Sequence, residues 1–286
     1  MMQMMLPTFD ALPTQKVDKP MFKGIRRALW TENKAKLVAY YLGYFVYITK
    51  HGCYIDGFAG PRQAGVAGSW AAERVLAREP KFLREFFLCD QDAGQVAALE
   101  ALRDEQPEVK GRDIRVLAGD FNTTVDQILA SGVITERKAT FCLLDQFTAE
   151  CHWETVRKLA AHKTEGSKIE IFYFLASGWL DRALAGFKKN VDIPEAWWGR
   201  DDWASLQGIN SQDRAALVCK RFRSELGYAH AHSWPILERG DAGKVMFHMI
   251  HATDHPEAPK LMFRAYRAAS LEPESARQIE LDLDRF

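Results

Sequence analysis

Apolar residues along this chain recur with two different periods, and the switches between them mark out most of its elements. From Thr31 the spacing is helical: Leu37, Tyr40, Tyr41, Phe45 and Ile48 return at three- and four-residue steps, with Thr31 placed to cap. Short unbroken apolar runs then alternate with helical stretches. Strands are expected at 53–56, 86–90, 114–118, 140–145 and 168–175, and helices at 70–78, 93–106, 123–131 and 152–162. Ser69 suits the N-cap of the first of these helices, and Asp92 that of the second. So regular an alternation predicts a parallel, doubly wound α/β sheet.

After residue 178 the pattern changes. Residues 179–227 read as irregular helix, with Trp197, Trp198 and Trp203 close together as core, and predict a helical insertion that caps the crevice. Strand character returns at Trp234–Leu237 and Val245–Ala252. These flank the turn-rich Glu238-Arg239-Gly240-Asp241-Ala242-Gly243 and predict an antiparallel hairpin. Pro7, Pro13 and Pro20 punctuate a start that has no periodic spacing. The expected organisation is an N-terminal arm (1–28), a Rossmann-like core (29–178), the helical insertion (179–227) and C-terminal strands and helix completing the core (228–286).

The chain has 286 residues, room for one large α/β domain with an insertion, and it is 47% hydrophobic and 27% charged. Its formal net charge of zero creates no global field toward nucleic acid or anionic membrane. Locally, Lys16, Lys19, Lys23, Arg26 and Arg27 make the arm basic and fit to meet phosphate. No apolar run approaches the ~20 residues of a bilayer span, and the Met-rich start lacks the make-up of an export signal. The five cysteines show no C-x-x-C pairing, and Cys53, Cys89 and Cys142 fall inside apolar strands. The expectation is a reduced cytoplasmic protein with no membrane contact and no metal site.

The candidate chemistry lies at the strand ends. Asp56, Asp90, Asp120 and Asp145 each stand at or just beyond the end of an apolar strand. In an open α/β sheet those ends share one edge, where ligands bind. The first corner is the segment Tyr54-Ile55-Asp56-Gly57-Phe58-Ala59-Gly60-Pro61, a strand running into a glycine-containing turn. A glycine turn, then an acid, then Gly119-Asp120-Phe121, then an acid with an aromatic residue resembles the layout of S-adenosylmethionine-dependent methyltransferases. Sheets of that class also finish with a reversed strand pair.

That resemblance implies roles. Asp56, Gly57, Phe58 and Gly60 would form the turn that passes the methionine moiety, with the two glycines free to reach positive φ. Asp90 would accept from both ribose hydroxyls, and Asp120 with Phe121 would hold the adenine. Asp145 and Phe147 would be the catalytic pair, an acid for an amine and a ring for a base. Lys34 and Lys36 on the first helix, and Arg182 after the fifth strand, are candidate substrate-binding residues. His248, His251 and His255 share a strand region without an implied carboxylate partner and read as packing.

Over residues 28–270 the chain is also similar to the three-Cys-motif partner family, bacterial proteins regarded as methyltransferase-like. The likeness is carried by the first corner, by Gly119-Asp120-Phe121-Asn122, by Trp198-Gly199-Arg200-Asp201-Asp202-Trp203, and by the run from His248 to Pro256. Two departures stand out: Arg62 where the family usually has glycine, and Leu144-Asp145-Gln146-Phe147-Thr148 where it has a sequence like Leu-Asp-Pro-Phe-Gly. The resemblance implies S-adenosylmethionine as cofactor, a nucleic-acid base as leading methyl acceptor, and a cysteine-motif protein as partner. A binding or scaffold subunit with a degraded site is the second reading, favoured by Arg62 and Gln146. A nicotinamide-dependent oxidoreductase is excluded by the missing G-x-G-x-x-G and by the closing hairpin.

Overall fold

Apolar residues at consecutive positions suit strands that are covered on both faces, and the central strands here are of that kind. The structure is a computed structural model, and it describes residues 33–61, 70–187, 190–237 and 244–271. The expectations for the arm, Thr31, Arg62, Ser69 and the connection 238–243 lie outside the described residues.

Helix α1 (Lys34–Thr49) precedes β1 (Cys53–Asp56), α2 (Ala71–Leu76), β2 (Glu85–Asp90), α3 (Ala93–Asp104) and β3 (Asp113–Ala118). Next come α4 (Phe121–Leu129), β4 (Thr140–Leu144), α5 (Trp153–Ala161) and β5 (Glu170–Leu175). The chain then runs through α6 (Leu180–Gly186), α7 (Asp192–Trp198), a 3₁₀ segment (Asp201–Leu206) and α8 (Ser211–Ser224). Strands β6 (His230–Leu237) and β7 (Val245–Thr253) and helix α9 (Ala258–Leu271) close it. The strands form one seven-stranded sheet in the order β3-β2-β1-β4-β5-β7-β6. The first five are parallel, and β7 runs antiparallel to both β5 and β6. Strand β6 begins at His230, earlier than expected, because polar residues interrupt its apolar spacing along the sheet's edge. Only Ala231, Trp234 and Ile236 of this strand are buried.

Alternate residues feed two cores. Tyr54, Phe141, Phe172 and Phe174 face a layer that contains α1, α2, α3 and α9. Ile55, Cys142, Leu144, Ile171 and Tyr173 face α4, α5 and the 180–224 segment. The segment expected to form a cap supplies much of this second layer. Trp197, Trp198 and Trp203 are buried in this second core. Arg221 holds the layer together, its guanidinium 4.0 Å and 4.1 Å from the ring centroids of Trp153 and Trp198.

Helix α1 is docked by Tyr41, whose ring centroid lies 4.9 Å from that of Phe172 and 5.9 Å from that of Phe141. Ile48, expected on the same apolar stripe, is exposed instead, one residue before the helix ends. Among the described residues no helix is long and apolar enough to cross a membrane. Strand order reverses between β1 and β4, so the crevice opens at the carboxyl ends of those two strands.

Candidate functional site

The turn after β1 is laced to the strands on both sides of it. The Gly57 amide donates to the Leu143 carbonyl (3.0 Å), the Ala59 amide to the Cys89 carbonyl (2.8 Å), and the Gly60 amide to Asp90 Oδ2 (3.0 Å). Close approach, not positive φ, is what requires the glycines. A Cβ on Gly57 would stand 2.8 Å from the Phe121 ring, and one on Gly60 would stand 2.5 Å from Gln95 Cβ. Neither residue is among the glycines with positive φ, which corrects the expectation drawn from the sequence. Asp56 lies beneath this turn, 1% exposed. Its carboxylate accepts from the Tyr54 hydroxyl (2.9 Å) and the Phe58 amide (3.2 Å). Burial, with Asp56 adding its charge, raises the Tyr54 pKa well above that of a free phenol and keeps it a donor.

The turn borders a cavity of about 530 Å³ lined by Gly57, Phe58, Gly60, Asp90, Asp120, Phe121 and Phe147. Seven of the expected site residues thus meet around one space, and Asp56, Asp145, Lys34, Lys36 and Arg182 are not among its lining. Asp90 Oδ1 accepts from the Asp92 amide (3.0 Å) while Oδ2 holds Gly60. A carboxylate has about four acceptor positions, so each oxygen keeps one for a ligand. Asp92 caps α3 as expected, accepting from the Gln95 amide at 2.9 Å. Asp120 is itself the N-cap of α4, which begins two residues earlier than expected. Its Oδ1 accepts from the Asn122 amide and side chain. Gly119 before it has φ +138, a conformation that favours glycine.

Asn122 ties the adjoining walls together. Its side-chain amide donates to Asp120 Oδ1 (2.8 Å) and the Glu150 carbonyl (2.7 Å). Its Oδ1 accepts from the His152 amide (2.8 Å) and the Thr155 hydroxyl (2.7 Å). Asn122, Gln95, Glu150 and His152 all line the cavity and were not singled out as site residues. Asn122 stood in the quoted Gly119–Asn122 motif, whereas the other three carry no local signal.

The corner after β4 has a different character. Asp145 Oδ1 pairs with the Lys34 ammonium at 2.5 Å, the two side chains 18% and 12% exposed. Lys34 is therefore a partner of the acid here. Lys36 is half-buried on α1, and Arg182 is exposed on α6. Phe147 is 56% exposed, and its ring centroid lies 5.2 Å from that of Trp179. Trp179 donates from Nε1 to the Thr148 hydroxyl at 2.8 Å. Gln146, the residue that departs from the resembled motif, is fully buried. Its Oε1 accepts from the Glu150 (3.2 Å) and Cys151 (3.0 Å) amides, so a carboxamide holds the loop in place of a ring.

The three C-terminal histidines do not converge. His248 Nδ1 is 2.6 Å from the Ser177 hydroxyl, and burial lowers its pKa to about 4. His251 does have a carboxylate partner, contrary to expectation: Nε2 lies 2.8 Å from Glu170 Oε1. Glu170 also accepts from Thr253 (2.9 Å) and from Tyr41. His255 instead accepts from the Glu257 amide in the loop before α9. All five cysteines are buried and free, and burial pushes the Cys89, Cys142 and Cys151 thiols up, away from the reactive thiolate. Compared with known proteins, the chain matches no family model and no curated protein.

Proposed function

We propose that the cavity binds S-adenosylmethionine and that the chain is a methyltransferase acting on an acceptor held at Phe147 and Asp145. The observation that carries this reading is the meeting of Asp90, Asp120 and the Gly57–Gly60 turn around one cavity at the sheet's switch point. Its volume is in the range of small-molecule sites. The reversed β7 beside β5, the feature expected of methyltransferase sheets, also supports the reading.

The residues present fit such a ligand. Asp90 would accept from the two ribose hydroxyls at its remaining acceptor positions. Asp120 Oδ2, which makes no hydrogen bond among the described residues, would accept from the adenine amine. Phe58 and Phe121, with ring centroids 6.1 Å apart, would supply the apolar side. When bound, the cofactor supplies an electrophilic methyl group. The chain's own part is placement, in which orientation alone is worth up to roughly 7–11 kcal/mol. Phe147 would carry a flat base, and Asp145 would accept from its amine. A nucleic-acid base is accordingly the leading acceptor.

Isothermal titration of the purified protein with S-adenosylmethionine tests the reading. Micromolar binding that Asp90→Ala weakens tenfold or more is expected, and absence of binding by the wild type overturns it. One observation favours a second reading, a binding subunit that works with a cysteine-motif partner. The Asp145 carboxylate is already engaged by Lys34. Under that reading the wild type transfers no labelled methyl group to RNA, DNA, peptide or partner.

A further inference from the structure

Among the described residues, three groups box in the Lys34 ammonium. Asp145 Oδ1 is 2.5 Å away, and the ring centroids of Phe174 and Phe247 are 4.4 Å and 3.9 Å away. Both rings are buried, on β5 and β7, so their faces are held by the core. A carboxylate flanked by two aromatic faces is a receptor for an organic cation: the charge pairs with the acid and is drawn to the ring quadrupoles. A chain of ring contacts links the box to the cavity wall. Phe247 meets Trp179 edge-on at 4.9 Å, and Trp179 meets Phe147, which lines the cavity.

Helix stability does not explain why a lysine stands here. Lys34 is the first residue of α1, Lys36 follows it, and the first turn has no acid. Positive charge at a helix N-terminus opposes the macrodipole. Asn33, at the cap position, makes no side-chain capping bond. Helix ends open at low cost compared with buried strands. The occupant thus rides on a weakly capped helix end, whereas the box is built from strand residues and a strand end.

We propose that this box is a binding site for the organic ammonium group of a ligand. Lys34 is its internal occupant and leaves when the ligand enters. The inference rests on this geometry and stands apart from methyl transfer.

Lys34→Ala removes the three outer carbons and the nitrogen, the atoms of n-propylammonium, so that ion is the probe. Titration followed by NMR should show Lys34→Ala binding n-propylammonium chloride at least tenfold tighter than the wild type. n-Propanol should show no such preference, and adding Asp145→Asn to Lys34→Ala should remove the gain. Equal affinity of the ion for wild type and Lys34→Ala, or a gain that survives Asp145→Asn, overturns the site. The intact chain gives an independent reading should Lys34→Ala fail to fold. With ¹⁵N-labelled lysines, the ring-shifted Lys34 ammonium resonance should move to the value of solvated lysines as the ion is added. A resonance that stays in place shows a fixed structural ion pair and overturns the displacement. No methyl donor enters these titrations, so their outcome and that of the methyl-transfer test are separate.

Discussion

Gly60 and Asp90, thirty residues apart in sequence, are joined by a 3.0 Å hydrogen bond from the Gly60 amide to Asp90 Oδ2. The same oxygen stands 2.6 Å from where a Cβ on Gly60 would lie. One carboxylate therefore both shapes the turn and faces the cavity. Asp90→Ala should weaken S-adenosylmethionine binding at least tenfold and also cost about 1–3 kcal/mol of stability, because the Gly60 and Asp92 amides lose their acceptor. Asp90→Asn, which keeps an acceptor oxygen, should recover part of that stability and little of the binding. Calorimetry beside urea unfolding separates the two effects. Full binding by Asp90→Ala would place the ribose elsewhere.

Asn122 makes four hydrogen bonds through its carboxamide, joining the Asp120 corner to the 150–155 loop. Asn122→Ala should lose roughly 2–3 kcal/mol, more than one net hydrogen bond, because it leaves a backbone amide and a carbonyl without partners. Asn122→Asp keeps the acceptor side and should restore part of the loss, although it faces Asp120 with like charge. A variant as stable as the wild type in urea would mean that water replaces the carboxamide without penalty.

At the other corner, Asp145→Ala should leave cofactor affinity unchanged and reduce methyl transfer at least a hundredfold if the acid serves as a general base. It should also lower stability by about 1–3 kcal/mol, since the part-buried Lys34 ammonium loses its hydrogen-bonded counterion. Transfer of a labelled methyl group is the deciding measurement. Wild-type turnover in this variant would remove Asp145 from the chemistry.

His248 makes stability depend on pH. Its pKa is lowered by burial from 6.5 in the free side chain to about 4. The unfolded chain therefore takes up a proton below pH 6.5 that the folded chain refuses until about pH 4. The contribution is complete above pH 6.5 and drains as pH falls toward 4, by up to about 3 kcal/mol. Urea unfolding at pH 7 and pH 4.5 should show a smaller acid loss in His248→Asn than in the wild type. Parallel losses would mean that the imidazole titrates normally in the fold.

The parallel strands, their order along the chain and the run of acids at their ends were legible in the sequence. Both signals are local: a strand buried on two faces must be continuously apolar, and a ligand-facing acid must follow it directly. Asp92 could likewise be read as a cap, because capping reaches only three residues ahead. What needed the tertiary structure was every relation between distant segments. Lys34 and Asp145 lie 111 positions apart, and only the docking of α1 through Tyr41 sets the lysine against the acid. Gln146 read only as a departure from the proline of the resembled family, and burial shows its side chain to be the loop's fastening. The tryptophans of the 179–227 segment read as core and are buried, whereas the place of Ile193 from the same segment in the cavity wall needed the fold. Sequence period determines which residues form a strand or helix. Which of their side chains meet is decided by packing, because contact depends on the face that each element turns to its neighbours.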